Sequence, residues 1–187
     1  TSISGRWNVS TQSTAEDNAL GGTQKDNWEL RSNNPRIGFK GDVALSDSLK
    51  AIYKLEYDLQ TDGSWSGNNE FRSRNLYLGL QGNWGTLLAG KHDTPLKLIQ
   101  NKVDQFNDLL YGDINQVLVG ENRLSNIILY TTPDLGNFRL SLAIAPGEDS
   151  GPNRDDNDGL ADHVSAAIEF TPGDFYAALA SDRDLAR

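Results

Sequence analysis

The chain has no cysteine, no methionine and only two histidines in 187 residues. Without cysteine there is neither a disulfide framework nor a thiolate metal site. His92 and His163 stand far apart in sequence, with no paired acid at ligand spacing, so neither a metal centre nor histidine-based catalysis is expected. No cofactor is expected either. Base is scarce as well: 17 Lys and Arg against 26 Asp and Glu give a net charge of −9, which argues against a nucleic-acid partner. Hydrophobic residues make up 37% and mean hydropathy is −0.55, and no run approaches the roughly 18–20 consecutive apolar residues of a membrane helix. That last absence leaves a membrane β-barrel open, because barrel strands hide their apolar residues by alternation. The missing initiator methionine gives the expectation of a processed chain or one whose start is not the start of translation, and the missing charged-then-apolar leader that any export signal has gone.

What is present is alternation. In Pro35 to Leu59, PRIGFKGDVALSDSLKAIYKLEYDL, the residues Ile37, Phe39 and Val43 alternate with Arg36, Gly38, Lys40 and Asp42. After a short turn, Leu49, Ala51, Tyr53, Leu55, Tyr57 and Leu59 alternate with Lys50, Ile52, Lys54, Glu56 and Asp58. Side chains of a strand point to opposite faces with period two, so each arm has one apolar and one charged face. A soluble sandwich strand alternates in the same way. The length of the arms and the aromatics near their ends suit a transmembrane strand of about 9–11 residues, with lipid on one side and a channel on the other.

Nine strands are expected, at 2–10, 28–43, 49–59, 72–82, 85–91, 125–132, 138–145, 163–171 and 175–181. Their connections alternate long and short: 11–27, 46–48, 60–71, 82–84, 92–124, 133–137, 146–162 and 171–174. An antiparallel up-and-down transmembrane barrel has this rhythm, with long loops at one end and short turns at the other. The four long segments 11–27, 60–71, 92–122 and 146–162 hold 16 acids and 4 bases, a net −12, which leaves +3 on the rest. Segment 92–124 is too long for a plain connection. Its apolar residues, among them Leu96, Ile99, Val103, Phe106 and Leu110 at helical spacing, are expected to pack against the inside of the barrel.

Three blocks, PRIGFKGDVALSDSLKAIYKLEYDL, RSRNLYLGLQGNWGTLLAGKHDTPL and NRLSNIILYTTPDLGNFRLSLAI, resemble the Gram-negative general porins. That family's pattern runs R-x-G-F-K-G, a short turn and L-K-A-x-x-x-L-E, then R-x-x-x-V-G-L-x-G-x-F-G-x-L-x-x-G-R, an inward-folded third loop, and R-x-x-N-S-x-x-Y-x-S-P. The resemblance implies a sixteen-stranded barrel of the Gram-negative outer membrane that passes ions and small hydrophilic solutes by passive diffusion. It also implies assembly as a homotrimer, contact with outer-membrane lipid and lipopolysaccharide, and no enzymatic activity. Residues 1–187 would be the N-terminal part of one barrel domain, with 92–124 as its constriction loop. Bases on the wall would face acids on that loop. By position the wall residues are Arg6, Arg36, Lys40, Lys54, Arg74 and Arg123, with the acid Glu56 among them, and the loop acids are Asp104, Asp108, Asp113 and Glu121.

Two departures bear on the site. Lys91 stands where the family closes its fifth strand with arginine, and strict alternation puts Arg74 on the side of Leu76, Leu78 and Leu80. Either a bulge re-aims Arg74 or Arg72 or Asn75 faces the pore instead. Other signals have other readings. Trp7, Trp28, Trp65, Trp84 and the tyrosines could form the platform of a carbohydrate-binding β-sandwich, although Trp7 and Trp84 near strand ends suit a membrane aromatic girdle. His163 near Ser165 is the weak signal for an outer-membrane phospholipase. The acidic run Asn153 to Gly159 lacks the register of a calcium loop, with Arg154 where the first acid belongs.

Overall fold

The computed structural model describes residues 1–16, 25–61, 71–109, 112–120, 122–147 and 159–184. The described residues hold eleven strands: β1 (Ser2–Arg6), β2 (Val9–Glu16), β3 (Lys25–Ser32), β4 (Arg36–Ser46), β5 (Leu49–Leu59), β6 (Phe71–Gly82), β7 (Gly85–Asp93), β8 (Arg123–Thr131), β9 (Phe138–Ala145), β10 (His163–Phe170) and β11 (Ala177–Asp184). One α-helix, α1 (Pro95–Val103), and a 3-10 turn, Ile114–Gln116, lie between β7 and β8. Nine strands form one antiparallel sheet in the order β1-β4-β5-β6-β7-β8-β9-β10-β11, an up-and-down meander whose edges are β1 and β11. The expected strands are all there.

One expectation is corrected. The first two strands are not continuous through 2–10 and 28–43, and part of 11–27 is not loop. Each breaks, and β2 and β3 pair as a separate hairpin beyond the main sheet. The break falls at Asn33-Asn34-Pro35, where Pro35 has no N–H to give the ladder and Asn34 sits at φ 50. Asn33 N–H to Asn8 O, 2.9 Å, carries the pairing across the gap.

The registers give the two faces of the sheet. One row runs Val43, Ala51, Leu80, Leu87, Tyr130, Leu142, Ala166 across seven strands. The next row on that face runs Gly41, Tyr53, Leu78, Ala89, Ile128, Ile144, Val164. Leu78, Leu142 and Leu179 are wide open on it, with Leu78 72% exposed and no second layer covering it among the described residues. A soluble sandwich would bury these side chains; an apolar band of this extent is what a strand presents to hydrocarbon. Aromatic residues gather at the short-turn end. Trp84 stacks on Tyr130 with centroids 6.2 Å apart, and Phe138 stacks on Phe170 at 4.6 Å.

The opposite face, called inner here, carries α1. The helix begins cleanly because Pro95 needs no hydrogen-bond partner at the first turn and the Thr94 hydroxyl accepts from Lys97 N–H. It packs on β9, β10 and β11, and its Leu98, together with Leu124, lies against an apolar floor of Leu88, Ile127, Leu129 and Ala143. Burying each of these leucine and isoleucine side chains is worth about 1.5–3 kcal/mol, so the floor fixes the helix to that part of the wall. The remainder of the loop is less packed than its sequence suggests. Val103, Phe106, Leu109, Val117, Leu118 and Val119 are exposed, because the helix stops at Val103 and the chain leaves the floor for the polar half of the inner face. Leu110 and Tyr111 lie outside the described residues.

Candidate functional site

On β4 and β5 the inner side chains are the charged ones: Arg36, Lys40, Lys54, Glu56 and Asp58 follow period two through the antiparallel register. Arg6 on β1 is opposite Arg36, so two guanidiniums come side by side at the sheet edge. Asp108, after α1, meets both. Arg6 Nη2 lies 2.5 Å and Arg36 Nη2 2.8 Å from its Oδ2, and Asn34 Nδ2 donates to its Oδ1 at 3.0 Å. The loop therefore starts on β7, seats its helix on β9–β11, and reaches β1 and β4 with a carboxylate.

Arg74 enters through a bulge. Leu55 pairs with Leu76 but Tyr57 pairs with Ser73, so Arg74 and Asn75 together oppose Glu56. Arg74 turns inward, with Nε 3.3 Å from Glu56 Oε1 and Nη1 2.8 Å from Asp58 Oδ1. Asn75 donates to Asp93 Oδ2 at 3.1 Å. Glu56 also holds Lys54, whose Nζ is 2.7 Å away. A second irregularity lies between β7 and β8. From Gly90 to His92 the partner strand moves three residues, Ile127 to Leu124, with Asn126 at φ 57. This brings Asp93 beside Arg123, with Nε 2.8 Å from Oδ1, close enough for an ion pair but not aimed as a hydrogen bond.

Arg6, Arg36, Lys54, Glu56, Arg74, Asp108 and Arg123 thus converge on the inner face in paired contacts. Lys40 faces the same way, is exposed, lies in register with Lys54 and makes no ion pair among the described residues. Asp104 and Asp113 do not oppose the arginines. Asp104 accepts from Phe106 N–H and Ile114 N–H, and Asp113 accepts from Asp108 N–H and Asn115 N–H, so both hold the loop's own backbone. Glu121, Trp65 and the run 153–158 lie outside the described residues. Sequence reasoning did not single out Asp58, Asp93 or Asn34, and it named Asn75 only as an alternative to Arg74. Asp58 was legible, since it continues the charged face of β5; the other three depend on breaks and bulges.

Between the loop and the wall lies a polar cavity of about 220 Å³ lined by Asp58, Arg74, Asp108 and Arg123, and a cleft of about 720 Å³ opens beside it against Arg6, Arg36 and Arg74. The histidines stand apart. His92 donates through Nδ1 to Asp93 O at 2.7 Å, and its ring lies on Tyr77 at 5.0 Å. His163 turns to Asp182, Nε2 to Oδ1 2.5 Å, while the fully buried Ser165 hydroxyl accepts from Leu96 N–H.

A loop folded onto the inner wall of a meander with an apolar outer band is one architecture, and comparison places it. The profile of the Gram-negative porin family matches residues 2–186. The chain belongs to the Gram-negative porin family. It is 29% identical over 129 residues to the major outer membrane protein P.IB of Neisseria gonorrhoeae, covering 67% of this chain and 36% of that protein. The same fold occurs in the anion-selective porin from Comamonas acidovorans, with TM-score 0.78, 22% identity, 98% of this chain and 57% of that one. It also occurs in OmpF of Salmonella typhi, with TM-score 0.66, 16% identity, 97% and 53%. The match thus spans little more than a third of the curated relative and just over half of each solved chain. This porin is an outer-membrane β-barrel protein.

Proposed function

We propose that the chain supplies the N-terminal part of the wall, and residues 92–124 the constriction loop, of a water-filled channel for passive diffusion of ions and small hydrophilic solutes. The observation that carries this reading is Asp108 held between Arg6 and Arg36 on the far side of the inner face from α1. A loop that crosses the inner space and ends in charge narrows the route without closing it. Bases of the wall, Arg6, Arg36, Lys40, Lys54, Arg74 and Arg123, and the acids Glu56, Asp58, Asp93 and Asp108 create a field across the gap. A polar solute aligned with that field recovers part of the hydration it sheds, whereas an apolar one gains nothing from the field, and fixed charges set ion preference by Coulomb terms.

In this reading the porin catalyses no reaction and needs no cofactor, and its partners are lipid, lipopolysaccharide and two further copies in a homotrimer. The test is reconstitution of the purified protein in planar bilayers. Ohmic steps in salt, with uptake of small sugars into vesicles, are the expected result. A heat-modifiable, detergent-folded protein that gives neither would sink the channel reading.

A further inference from the structure

The apolar floor is not all that holds the loop. Inner-face Glu169, near the short-turn end of β10, is almost fully buried, and its Oε2 is ion-paired to Lys102 in the last turn of α1. The Tyr176 hydroxyl donates to the same oxygen at 3.1 Å, and the Lys102 ammonium lies 5.3 Å from the Tyr176 ring centroid, within cation–π range. Burial, then the neighbouring carboxylate, pushes the Tyr176 phenol up to about 12, so it keeps the proton it donates. Arg139, in register with Glu169 on β9, is turned to Asp134 instead.

The helix lies along β10. Leu96 N–H reaches Ser165 and Lys102 reaches Glu169. Four strand residues span about 13 Å and six helical residues about 9 Å, and the long Lys102 side chain covers the difference. Beyond Lys102 the loop has left the wall. Asp104 closes the helix, and from there to Asp108 the chain crosses toward β1 and β4.

We infer that Lys102, Glu169 and Tyr176 form a latch that positions the constriction: the last point at which the loop is fixed to the wall before its charged tip crosses the channel. This rests on the channel reading above. Lys102 and Glu169 are positioning residues; they act through the place they give Asp108, not by contact with a solute. If the latch opens, the segment from Lys102 to Asp108 is held only at its far end and by its own internal bonds, and the gap fluctuates.

The test is single-channel recording of the full-length porin with Lys102→Gln, Glu169→Gln, both together, and Tyr176→Phe. Losing one charge-assisted bond raises the population of displaced-loop substates roughly tenfold, the factor for about 1.4 kcal/mol. That increase should be read as open-channel noise and sublevel dwell. Because the two charges act on one another, the double variant should be no noisier than the worse single variant. Tyr176→Phe should move the noise in the same direction by less. A role in folding alone would lower the temperature at which the folded band is lost and leave the noise as in the parent. Lys102 is the more exposed partner, so Lys102→Gln remains readable even if Glu169→Gln does not fold. Parent-like noise in folded Lys102→Gln and Tyr176→Phe would overturn the latch, as would additive effects of the two charge removals. A parent that forms no channel would instead sink the channel reading, and the latch with it.

Discussion

Neutralising Asp108 is the perturbation whose consequence follows most directly from the geometry. Its carboxylate is the only acid within ion-pair distance of Arg6 and Arg36 among the described residues, and one oxygen serves both guanidiniums. Asp108→Asn keeps the shape and an acceptor for Asn34 but leaves the two arginines without a counter-charge. An ion passing roughly 5 Å from that carboxylate feels about 0.8 kcal/mol at the dielectric of water, and about 0.5 kcal/mol after screening in 0.1 M salt. The interaction has opposite sign for anion and cation, so removing it shifts their ratio by about 1 kcal/mol, a roughly fivefold change toward anions. The side chain is only 10% exposed, which lowers the effective dielectric and makes the figure a floor. The assay is the reversal potential across a bilayer with a salt gradient, measured at low and high ionic strength. The shift should shrink at high salt. Asp134→Asn, which removes an exposed acid paired with Arg139 in a turn, is the control and should leave the potential as in the parent. An Asp108→Asn channel with an unchanged potential, or one moved toward cations, would refute the placement of Asp108 at the constriction.

Three further outcomes are expected. Arg36→Ala combined with Arg123→Ala should move the reversal potential toward cations, since two fixed positive charges leave the inner face, and an unchanged potential would remove both from the constriction. Gly90→Ala should weaken the β6–β7 pairing, because Gly90 sits at φ 139 and an added Cβ would lie 2.3 Å from Leu76 O; the backbone strain alone costs of order 1–3 kcal/mol, visible as a lower temperature at which the folded band disappears on gels. Tyr130→Phe removes the 2.6 Å hydrogen bond from the hydroxyl to Trp84 O at the short-turn end and should cost about 1 kcal/mol in urea unfolding, with conductance unchanged because the ring lies on the outer face.

Much of the fold was legible because period two survives wherever one face meets lipid and the other water. Ile37, Phe39, Tyr53, Leu55 and Tyr57 alternate with Arg36, Lys40, Lys54 and Glu56, and both the register and the inner cluster follow from that pattern. The pattern fails where it is most informative. In β7, β8 and β9 the runs Leu87-Leu88-Ala89, Ile127-Ile128-Leu129 and Leu142-Ala143-Ile144-Ala145 are apolar on both faces. Two-sided burial gives a strand a continuous apolar run: one face of these three meets the outer surroundings, and the other carries the apolar floor that Leu98 of α1 packs against. Loss of alternation therefore marked the apolar floor that Leu98 of α1 packs against, while the loop's own helical spacing pointed to Val103 and Phe106, which are exposed.

The electrostatic half of the site was less readable for a related reason. Period two assigns a face only while each strand advances in step with its neighbour, and the porin departs from step at three places beside its charges. The bulge opposite Glu56 turns Arg74 inward against the alternation of Leu76, Leu78 and Leu80 and sets Asn75 on Asp93. The slip at Asn126 carries Asp93 to Arg123. The break at Asn33-Asn34-Pro35 frees Asn34 to reach Asp108. Each irregularity sacrifices ladder hydrogen bonds, and each places a polar side chain that a regular strand would have pointed elsewhere. The bulges are thus part of how the inner face is wired: straightening the one at Arg74 would return a guanidinium to the apolar row of Leu76 and leave Glu56 and Asp58, neighbours on the inner face of β5, without it.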